Sequence, residues 1–337
     1  MTEDIDKIKT IIDQAESLVI LQADNPDGDS LGSALALESL LGDQGKKVSL
    51  YCAVDMPSYL RYMSGWDRVQ KELPNKFDAS IIVDASTMTL FERLENSGEI
   101  SWLKSKPCIV LDHHQTVENP IYFSSITIND PTKSSTGELI YLLSKQLEWN
   151  ISVQAQEFMM TSILGDTQGL SNQLTTAETY RVMAEMVDSG VDRPMLEELR
   201  RQYNKMPEEI FRYKADLINR TSFTANGRVA HVIIEQSEIN QYSPLYNPAP
   251  LIQNDMLQTE GVKVAIVFKH YSDGRITGAI RCNPDAPVGG KIADHLGGGG
   301  HDFASGFKDV SGKDISVLVS DCLQYSEELL NNIGNNA

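Results

Sequence analysis

The sequence contains little cysteine and no apolar segment of membrane-spanning length. Its four cysteines lie far apart among 337 residues and never in CxxC spacing, so we expect neither a disulfide framework nor a zinc finger. No run approaches the ~18 apolar residues that cross a bilayer, and the acidic start of the chain is unlike a secretory signal. These features predict a cytoplasmic protein without a membrane partner.

Positive charge is also scarce. Lys and Arg number 29 and Asp and Glu number 47, which gives a formal net charge of −18 at pH 7. Proteins that bind long duplex nucleic acid usually present a broad basic face. An acidic protein repels polyanions unless metal ions or a few Arg and Lys residues reverse the potential locally. The composition therefore favours a small anionic substrate or a short oligonucleotide and disfavours long duplex nucleic acid.

The first half of the chain alternates short apolar segments with helical patterns. The apolar segments are almost without polar residues, as strands buried on both faces of a sheet are. A leucine-rich stretch at residues 30–41 has the broad apolar face of a packed helix. Strand, helix and strand in succession predict an α/β fold with a doubly wound, mostly parallel sheet. The predicted strands are residues 17–22, 48–52, 79–83 and 107–111.

The pattern changes after residue 190. We predict a catalytic domain at 1–190, a helical linker at 191–220 and a smaller α/β domain at 221–337. Within the last domain, segments 262–270 and 275–281 are separated by Ser272-Asp273-Gly274, which is typical of a hairpin turn.

Acidic and histidine side chains follow the predicted strands where each ends. Because the carboxyl ends of parallel strands meet at one edge, we expect these groups to converge. Crowded carboxylates repel one another, and a divalent cation such as Mn²⁺ or Mg²⁺ relieves that repulsion. The residues are Asp27 and Asp29 after the first strand, Asp84 after the third, and Asp112, His113 and His114 after the fourth, with Asp166 after an apolar helix as a fifth carboxylate.

Simpler interpretations remain open for each group taken alone. An Asp after a strand is as often a helix cap or turn residue, and the segment 112–114 fits a solvated loop. The joint pattern is what favours a metal site.

Three further features suggest phosphate binding. The glycines Gly297, Gly298, Gly299 and Gly300 precede His301 and would let backbone N–H groups approach phosphate oxygens; a turn after a helix is the alternative. Arg281 ends a predicted strand and suits a bidentate phosphate contact, unless it is a solvated edge residue. Ser135 opens a predicted helix whose N-terminus can hold an anion or simply be capped by that hydroxyl.

Five motifs in this order resemble those of the DHH phosphoesterases and their C-terminal DHH-associated domain. The similarity extends over nearly the whole chain, and the size and two-domain plan look most like the NrnA-type oligoribonucleases and pAp phosphatases. The motifs are Asn25-Pro26-Asp27-Gly28-Asp29, Asp84-Ala85-Ser86, Asp112-His113-His114, Gly165-Asp166-Thr167, and the glycine run with His301 followed by Ala304-Ser305-Gly306.

The resemblance implies a metal-dependent hydrolase in which metal-activated water attacks phosphate esters. It implies that Asp84 bridges two Mn²⁺ or Mg²⁺ ions, that Asp27 joins it at one ion, and that Asp29, His113 and Asp166 complete the other. It also implies that His114 faces the substrate phosphate with support from Asp112. By the same resemblance, Arg281, the glycines and His301 bind the distal end of the nucleotide.

The sequence departs from the family at Ala23, three residues before Pro26, where the family normally has a histidine. The first metal site then loses its only nitrogen ligand, and Asp24, Gln22, Asn25 or water are the open replacements. Ala23 leaves open a nucleotide-binding protein with weakened catalysis. Independently of Ala23, the same motifs would also serve a cyclic-dinucleotide phosphodiesterase. A homodimer is a further arrangement that the sequence leaves open.

Overall fold

The chain divides into two units, Met1–Lys205 and Met206–Ala337. The computed structural model describes residues 2–115, 119–242 and 246–334. The predicted linker at 191–220 spans the division between the units, and the functional bounds 1–190 and 221–337 stay predictions. Within the described ranges, no helix is both long and apolar enough to cross a membrane.

A parallel sheet of six strands forms the centre of the first unit, in the order β3-β2-β1-β4-β5-β6. The doubly wound parallel sheet is therefore confirmed. All four predicted strands are present, and two short strands were not predicted. The strands are β1 Ser17–Leu21, β2 Lys47–Tyr51, β3 Val69–Gln70, β4 Ala79–Val83, β5 Cys108–Asp112 and β6 Ile126–Asn129.

Helices cover both faces of this sheet, because its strands are apolar on both sides. Leu18 and Ile20 of β1 pack into one core and Val19 and Leu21 into another, as the alternation of side chains along a strand requires. The helices are α1 Thr2–Gln14, α2 Gly28–Asp43, α3 Glu92–Ser97, α4 Ile100–Lys104, α5 Thr136–Gln146, α6 Val153–Asp166, α7 Ala177–Asp188 and α8 Arg193–Tyr203.

The second unit is built on a mixed sheet in the order β11-β12-β10-β9-β8-β7. The predicted hairpin is present as the antiparallel pair β9 and β10, while β8 and β9 run parallel. The unpredicted strands β11 and β12 are rich in glycine and polar residues. The helices and strands of the second unit are α9 Glu208–Arg220, β7 Ser222–Thr224, β8 Val229–Glu235, α10 Gln236–Tyr242, α11 Pro248–Leu257, β9 Val264–His270, β10 Ile276–Cys282, α12 Gly289–His295, β11 Gly299–His301, β12 Ala304–Asp309 and α13 Ile315–Gly334.

Helices α2 and α6 pack closely because α2 carries a glycine at their contact. A Cβ at Gly32 would lie 2.7 Å from the carbonyl oxygen of Phe158 and 3.2 Å from the Cβ of Ser162. Helix α2 begins, and helix α6 ends, at the edge of the sheet where the acidic residues were expected. Their separation therefore fixes the positions of Asp29, in the first turn of α2, and Asp166, the last residue of α6.

We predict that Gly32→Ala lowers the free energy of unfolding by about 1–3 kcal/mol, because the added methyl group forces the two helices apart. Gly42→Ala is the matched control on the same helix, since its Cβ would meet nothing within 4 Å. The control should keep or raise stability, because alanine favours helix over glycine. Urea denaturation of both variants makes the comparison, and equal stabilities would contradict the close-packing argument.

Candidate metal centre

Three carboxylates and one imidazole converge at the carboxyl edge of the parallel sheet. We call Asp29, Asp84, Asp166 and His113 the carboxylate cluster. The Nε2 atom of His113 lies 2.9 Å from Oδ2 of Asp166, 3.4 Å from Oδ2 of Asp29 and 3.7 Å from Oδ1 of Asp84. The structure thus brings together four of the five predicted metal ligands around one nitrogen atom.

Two overlapping trios within this region have ligand atoms spaced for a metal ion. Asp29, His113 and Asp166 form one trio, and Asp84, His113 and His114 form the other; in each, the candidate atoms lie within 4.8 Å of one another. Carboxylate oxygen combined with imidazole nitrogen suits Mn²⁺ and related divalent ions. The donor set therefore fits the predicted metals.

Asp84 is held in an unusual backbone conformation directly after β4. Its φ is 58°, in the left-handed region, and its N–H donates to the carbonyl of Leu111 at 2.9 Å. Strained positions of this kind cluster at functional sites. Burial, together with the negative charges of Asp29 and Asp27, raises the pKa of Asp84 well above its usual value. A cation at this position would remove that electrostatic cost.

Asp29 is fixed by donors from distant parts of the chain. Its carboxylate accepts hydrogen bonds from the backbone N–H groups of Thr136 and Gly137 at 2.8 and 3.2 Å, and from the hydroxyls of Ser33 and Ser162. The sequence suggested that the N-terminus of α5 could hold an anion. The anion that it holds is the carboxylate of Asp29, a side chain of the protein itself. Thr136 and Ser162 were not among the predicted residues, because nothing in the local sequence pairs them with Asp29.

Ser135 was predicted to bind substrate, and its surroundings instead make it the cap of α5. The residue is fully buried. Its hydroxyl accepts the N–H of Glu138 at 3.1 Å and lies 3.0 Å from the hydroxyl of Ser162. The capping alternative therefore describes the geometry, because these contacts leave the hydroxyl no exposed face for a ligand.

His113 presents its Nε2 atom to the cluster. Nδ1 lies 3.3 Å from the carbonyl oxygen of Lys133 and can donate to it. Nε2 is buried and has no hydrogen-bond partner of acceptable geometry among the described residues. Burial lowers the pKa of His113, but Asp166 and Asp29 outweigh it and raise the value to about 9. A proton or a metal ion is thus required at Nε2, and the Nδ1 contact selects the tautomer of a metal ligand.

Asp27 and Asp166 complete the acidic surroundings in different ways. Burial raises the pKa of Asp166 to about 6. Asp27 caps α2, since its Oδ1 accepts the N–H groups of Asp29 and Ser30 at 3.0 Å. Asp27 lies outside both trios, yet its charge contributes to the raised pKa of Asp84. The cap therefore holds this carboxylate beside the cluster.

His114 and Asp112 form a supported pair at the end of β5. The Nδ1 atom of His114 lies 2.8 Å from Oδ1 of Asp112, which also accepts the N–H of His113. Asp112 is buried, whereas 55% of the His114 side chain is exposed. Hydrogen bonding to Asp112 raises the pKa of His114. The imidazole is therefore oriented by a fixed carboxylate and remains accessible.

Ala23 is buried in the apolar core on the sheet face that α3 and α4 cover. Of its possible replacements as a ligand, Asp24 is engaged elsewhere, because its Oδ2 accepts the N–H of Arg93 at 2.9 Å. Gln22 is fully buried, and both polar atoms of its amide lack a partner among the described residues.

The second unit places two predicted phosphate-binding residues in one row of its sheet. Arg281 of β10 and His301 of β11 both pair with Ala304 of β12. Their side chains therefore lie on the same face of the sheet, with their backbones about 10 Å apart. Both residues are exposed. The structure thus brings Arg281 and His301 together within this unit.

The glycine run before His301 has a packing role of its own. A Cβ at Gly298 would lie 2.2 Å from the carbonyl oxygen of Gly306 on β12, and Gly300 has a φ of 129°. Gly297 follows the end of α12 with a φ of 74°, which matches the turn alternative. Gly299 opens β11, where it pairs with Gly306. The glycines therefore allow the edge strand to approach β12 and carry His301.

Residues 17–163 match the model of the DHH family, N-terminal domain. This match confirms, for this part of the chain, the resemblance to the DHH family that was drawn from the motifs. The matched part contains Asp29, Asp84 and His113.

Individual relatives span most of the chain. The bifunctional oligoribonuclease and PAP phosphatase NrnA of Thermus thermophilus is 27% identical over 320 residues, which cover 92% of this chain and 89% of that protein. An exopolyphosphatase-related protein from Bacteroides fragilis superposes with a TM-score of 0.83 at 22% identity, covering 98% of both chains. RecJ from Thermus thermophilus in complex with Mn²⁺ has a TM-score of 0.53 at 13% identity, covering 97% of this chain and 54% of that one.

We predict that Mn²⁺ binding releases protons at pH 7. In the metal-free protein His113, with a pKa of about 9, holds a proton at neutral pH, and a metal ion must displace it. Calorimetry in buffers of different ionisation enthalpy should show the release of roughly one proton when the ion bound by His113 enters the site. Affinity should fall as pH falls, because protons compete with the ion.

The contribution of His113 should decline as the pH rises above about 9, because the imidazole is then already neutral. His295→Ala is the control, because His295 lies in the second unit and pairs with Asp321. It should leave the release unchanged. Tight Mn²⁺ binding with no buffer dependence at pH 7 would contradict the assignment of His113 as a ligand.

Proposed function

We propose that the protein is a metal-dependent phosphoesterase that hydrolyses short oligonucleotides and nucleotide phosphates such as pAp. The observation that carries this proposal is the Nε2 atom of His113, which is buried and lies 2.9 to 3.7 Å from oxygen atoms of three carboxylates. The DHH domain and the NrnA relative, named as an oligoribonuclease and PAP phosphatase, support the reaction class.

Asp27, Asp29, Asp84, His113 and Asp166 would hold two divalent ions, Mn²⁺ or Mg²⁺, with Asp84 shared between them. Bound ions would supply charge stabilisation of the phosphoryl transition state and a water of lowered pKa. The protein's part is to fix the ligand atoms before the substrate arrives. The donors to Asp29 and the Nδ1 contact of His113 serve this purpose.

His114 would contact the phosphate whose ester bond breaks. Its Nδ1 is engaged by Asp112, so the ring presents Nε2 to the substrate. Because Asp112 raises the pKa of His114, the ring holds a proton more readily at neutral pH. The protonated ring can donate a hydrogen bond to a phosphate oxygen, and Asp112 keeps the ring oriented during that contact.

Arg281 and His301 would recognise a second phosphate or the nucleotide that carries it. Both side chains are exposed on one face of their sheet, and Arg281 is flanked in its row by Ala265 and Ala304, which leave room for a ligand. A guanidinium suits bidentate contact with phosphate. The face of the second sheet that carries Arg281 and His301 would contribute to substrate selection.

A substrate panel tests the proposal. Purified protein is assayed with pAp, dinucleotides, short oligonucleotides and cyclic di-AMP in Mn²⁺ and in Mg²⁺. We expect turnover of pAp or of the short linear substrates. Turnover of cyclic di-AMP alone would support the cyclic-dinucleotide alternative, and binding without turnover in saturating Mn²⁺ would support a nucleotide-binding protein. Either result would contradict the proposal.

We predict that Asp84→Asn reduces turnover by roughly a thousandfold or more, because a shared ligand acts on both ions. Asparagine tolerates the left-handed backbone that Asp84 adopts, and removal of one charge from a repulsive cluster need not destabilise the fold. Thermal unfolding checks this second point. Asp188→Asn, at the exposed end of α7, is the control and should retain full turnover. Near-normal turnover in Asp84→Asn would exclude the two-ion arrangement.

A further inference from the structure

Arg200 of α8 lies where two cavities of the first unit adjoin. The near cavity, of about 260 Å³, is lined by Asp27 and Asp166 together with Tyr59, Arg200 and Asn204. The far cavity, of about 350 Å³, is lined by Arg200 with Leu164, Gln168, Leu196 and Glu197. Tyr62 and Gly165 line both. Arg200 therefore borders the space directly beside two proposed metal ligands.

The guanidinium of Arg200 is braced along one edge. Its Nε and Nη2 atoms donate to the two carboxylate oxygens of Glu197 at 3.0 and 2.8 Å. Among the described residues, none accepts a hydrogen bond from Nη1. A guanidinium has a second donor edge, formed by Nη1 and Nη2, that matches two phosphate oxygens. The brace thus leaves that edge available.

The charge around the near cavity explains why a cation is needed there. Asp27 and Asp166 contribute negative charge to its wall, and the chain as a whole carries a net charge of −18. Of the described residues that line this cavity, Arg200 is the one with a fixed positive charge. Arg200 therefore provides the electrostatic attraction for an anionic substrate that approaches the carboxylate cluster. Tyr59, which is 47% exposed, adds a flat apolar surface beside it.

We propose that Arg200 contacts a phosphate of the nucleotide substrate in the near cavity, and that Glu197 positions the guanidinium for this contact. The proposal rests on the phosphoesterase function proposed above and names a substrate-binding residue within the first unit itself. Metal ions held by the carboxylate cluster would contribute to binding this phosphate, and the free edge of Arg200 would donate to its oxygen atoms.

Arg201 provides a matched control for the test. It follows Arg200 on α8, its Nε donates to the same carboxylate of Glu197 at 3.1 Å, and its side chain is 70% exposed. It lines neither cavity. Arg200→Ala and Arg201→Ala therefore remove the same charge from neighbouring positions, and only one of them removes the proposed phosphate contact.

The experiment measures three quantities in both variants. They are Mn²⁺ affinity by calorimetry, the Kd of inorganic phosphate for the Mn²⁺-loaded protein, and the KM and kcat for pAp. In Arg200→Ala we expect unchanged Mn²⁺ affinity and a loss of phosphate affinity on the order of ten- to a hundredfold, since the contact is charge-assisted and bidentate. KM should rise more than kcat falls. Arg201→Ala should stay within about twofold of the unmodified protein.

Two results would overturn the proposal. Phosphate affinity in Arg200→Ala equal to that of the unmodified protein would remove the contact, and an equal loss in Arg201→Ala would reduce the effect to general electrostatics. If the unmodified protein bound Mn²⁺ and phosphate but hydrolysed no substrate of the panel, the phosphoesterase function would fail. A loss confined to Arg200→Ala would then still support the phosphate contact.

Glu197→Gln tests the brace separately. Glutamine keeps one acceptor oxygen and loses the charge, so the guanidinium should be held less firmly. We expect phosphate affinity to fall by several-fold, less than in Arg200→Ala. No change in this variant would overturn the positioning role of Glu197.

Discussion

The repulsion between buried carboxylates at the end of the parallel sheet is the constraint on which the rest of this structure depends. Burial and mutual repulsion raise the pKa of Asp84, and burial raises that of Asp166 to about 6. Burying like charges together costs free energy unless a counter-charge accompanies them. The protein meets that cost in part through His113, whose pKa rises to about 9 in the same surroundings. A metal ion could replace a proton at this position, and the free-energy cost of assembling the cluster would then contribute to affinity for a cation.

Hydrogen-bond donors from residues far away along the chain stabilise this arrangement. Thr136 and Ser162 lie 107 and 133 residues from Asp29 along the chain, yet both donate to its carboxylate. Gly137 allows the close approach, because a Cβ there would lie 2.1 Å from the hydroxyl oxygen of Ser162. The electrostatics of the site therefore depend on how closely α2, α5 and α6 pack. A change that separates these helices also removes the donors that keep Asp29 in place.

A feature could be predicted from the sequence when it depends on residues that are neighbours in the chain. The positions of Asp84 and of residues 112–114 at strand ends were predictable, because apolar strands and the polar groups after them are adjacent in the chain. The donors to Asp29 were not, since they depend on tertiary contacts. The role of Ser135 could not be decided from the sequence, because a helix cap and an anion site have the same local sequence. The strands β11 and β12 were missed because glycine-rich, polar residues form strands there only through pairing with each other and with β10.

The distribution of the few cations reconciles an acidic chain with an anionic substrate. Several surface arginines are paired along their own helix: Arg212 with Glu208, and Arg201 with Glu197. Such pairs add little to long-range attraction, because each cation is neutralised nearby. Arg200 differs in its position, since it lines the near cavity together with Asp27 and Asp166, and Arg281 is exposed in a row flanked by alanines. A guanidinium can make two hydrogen bonds with one phosphate, so each of these arginines would let its own unit bind an anion without a broad basic surface.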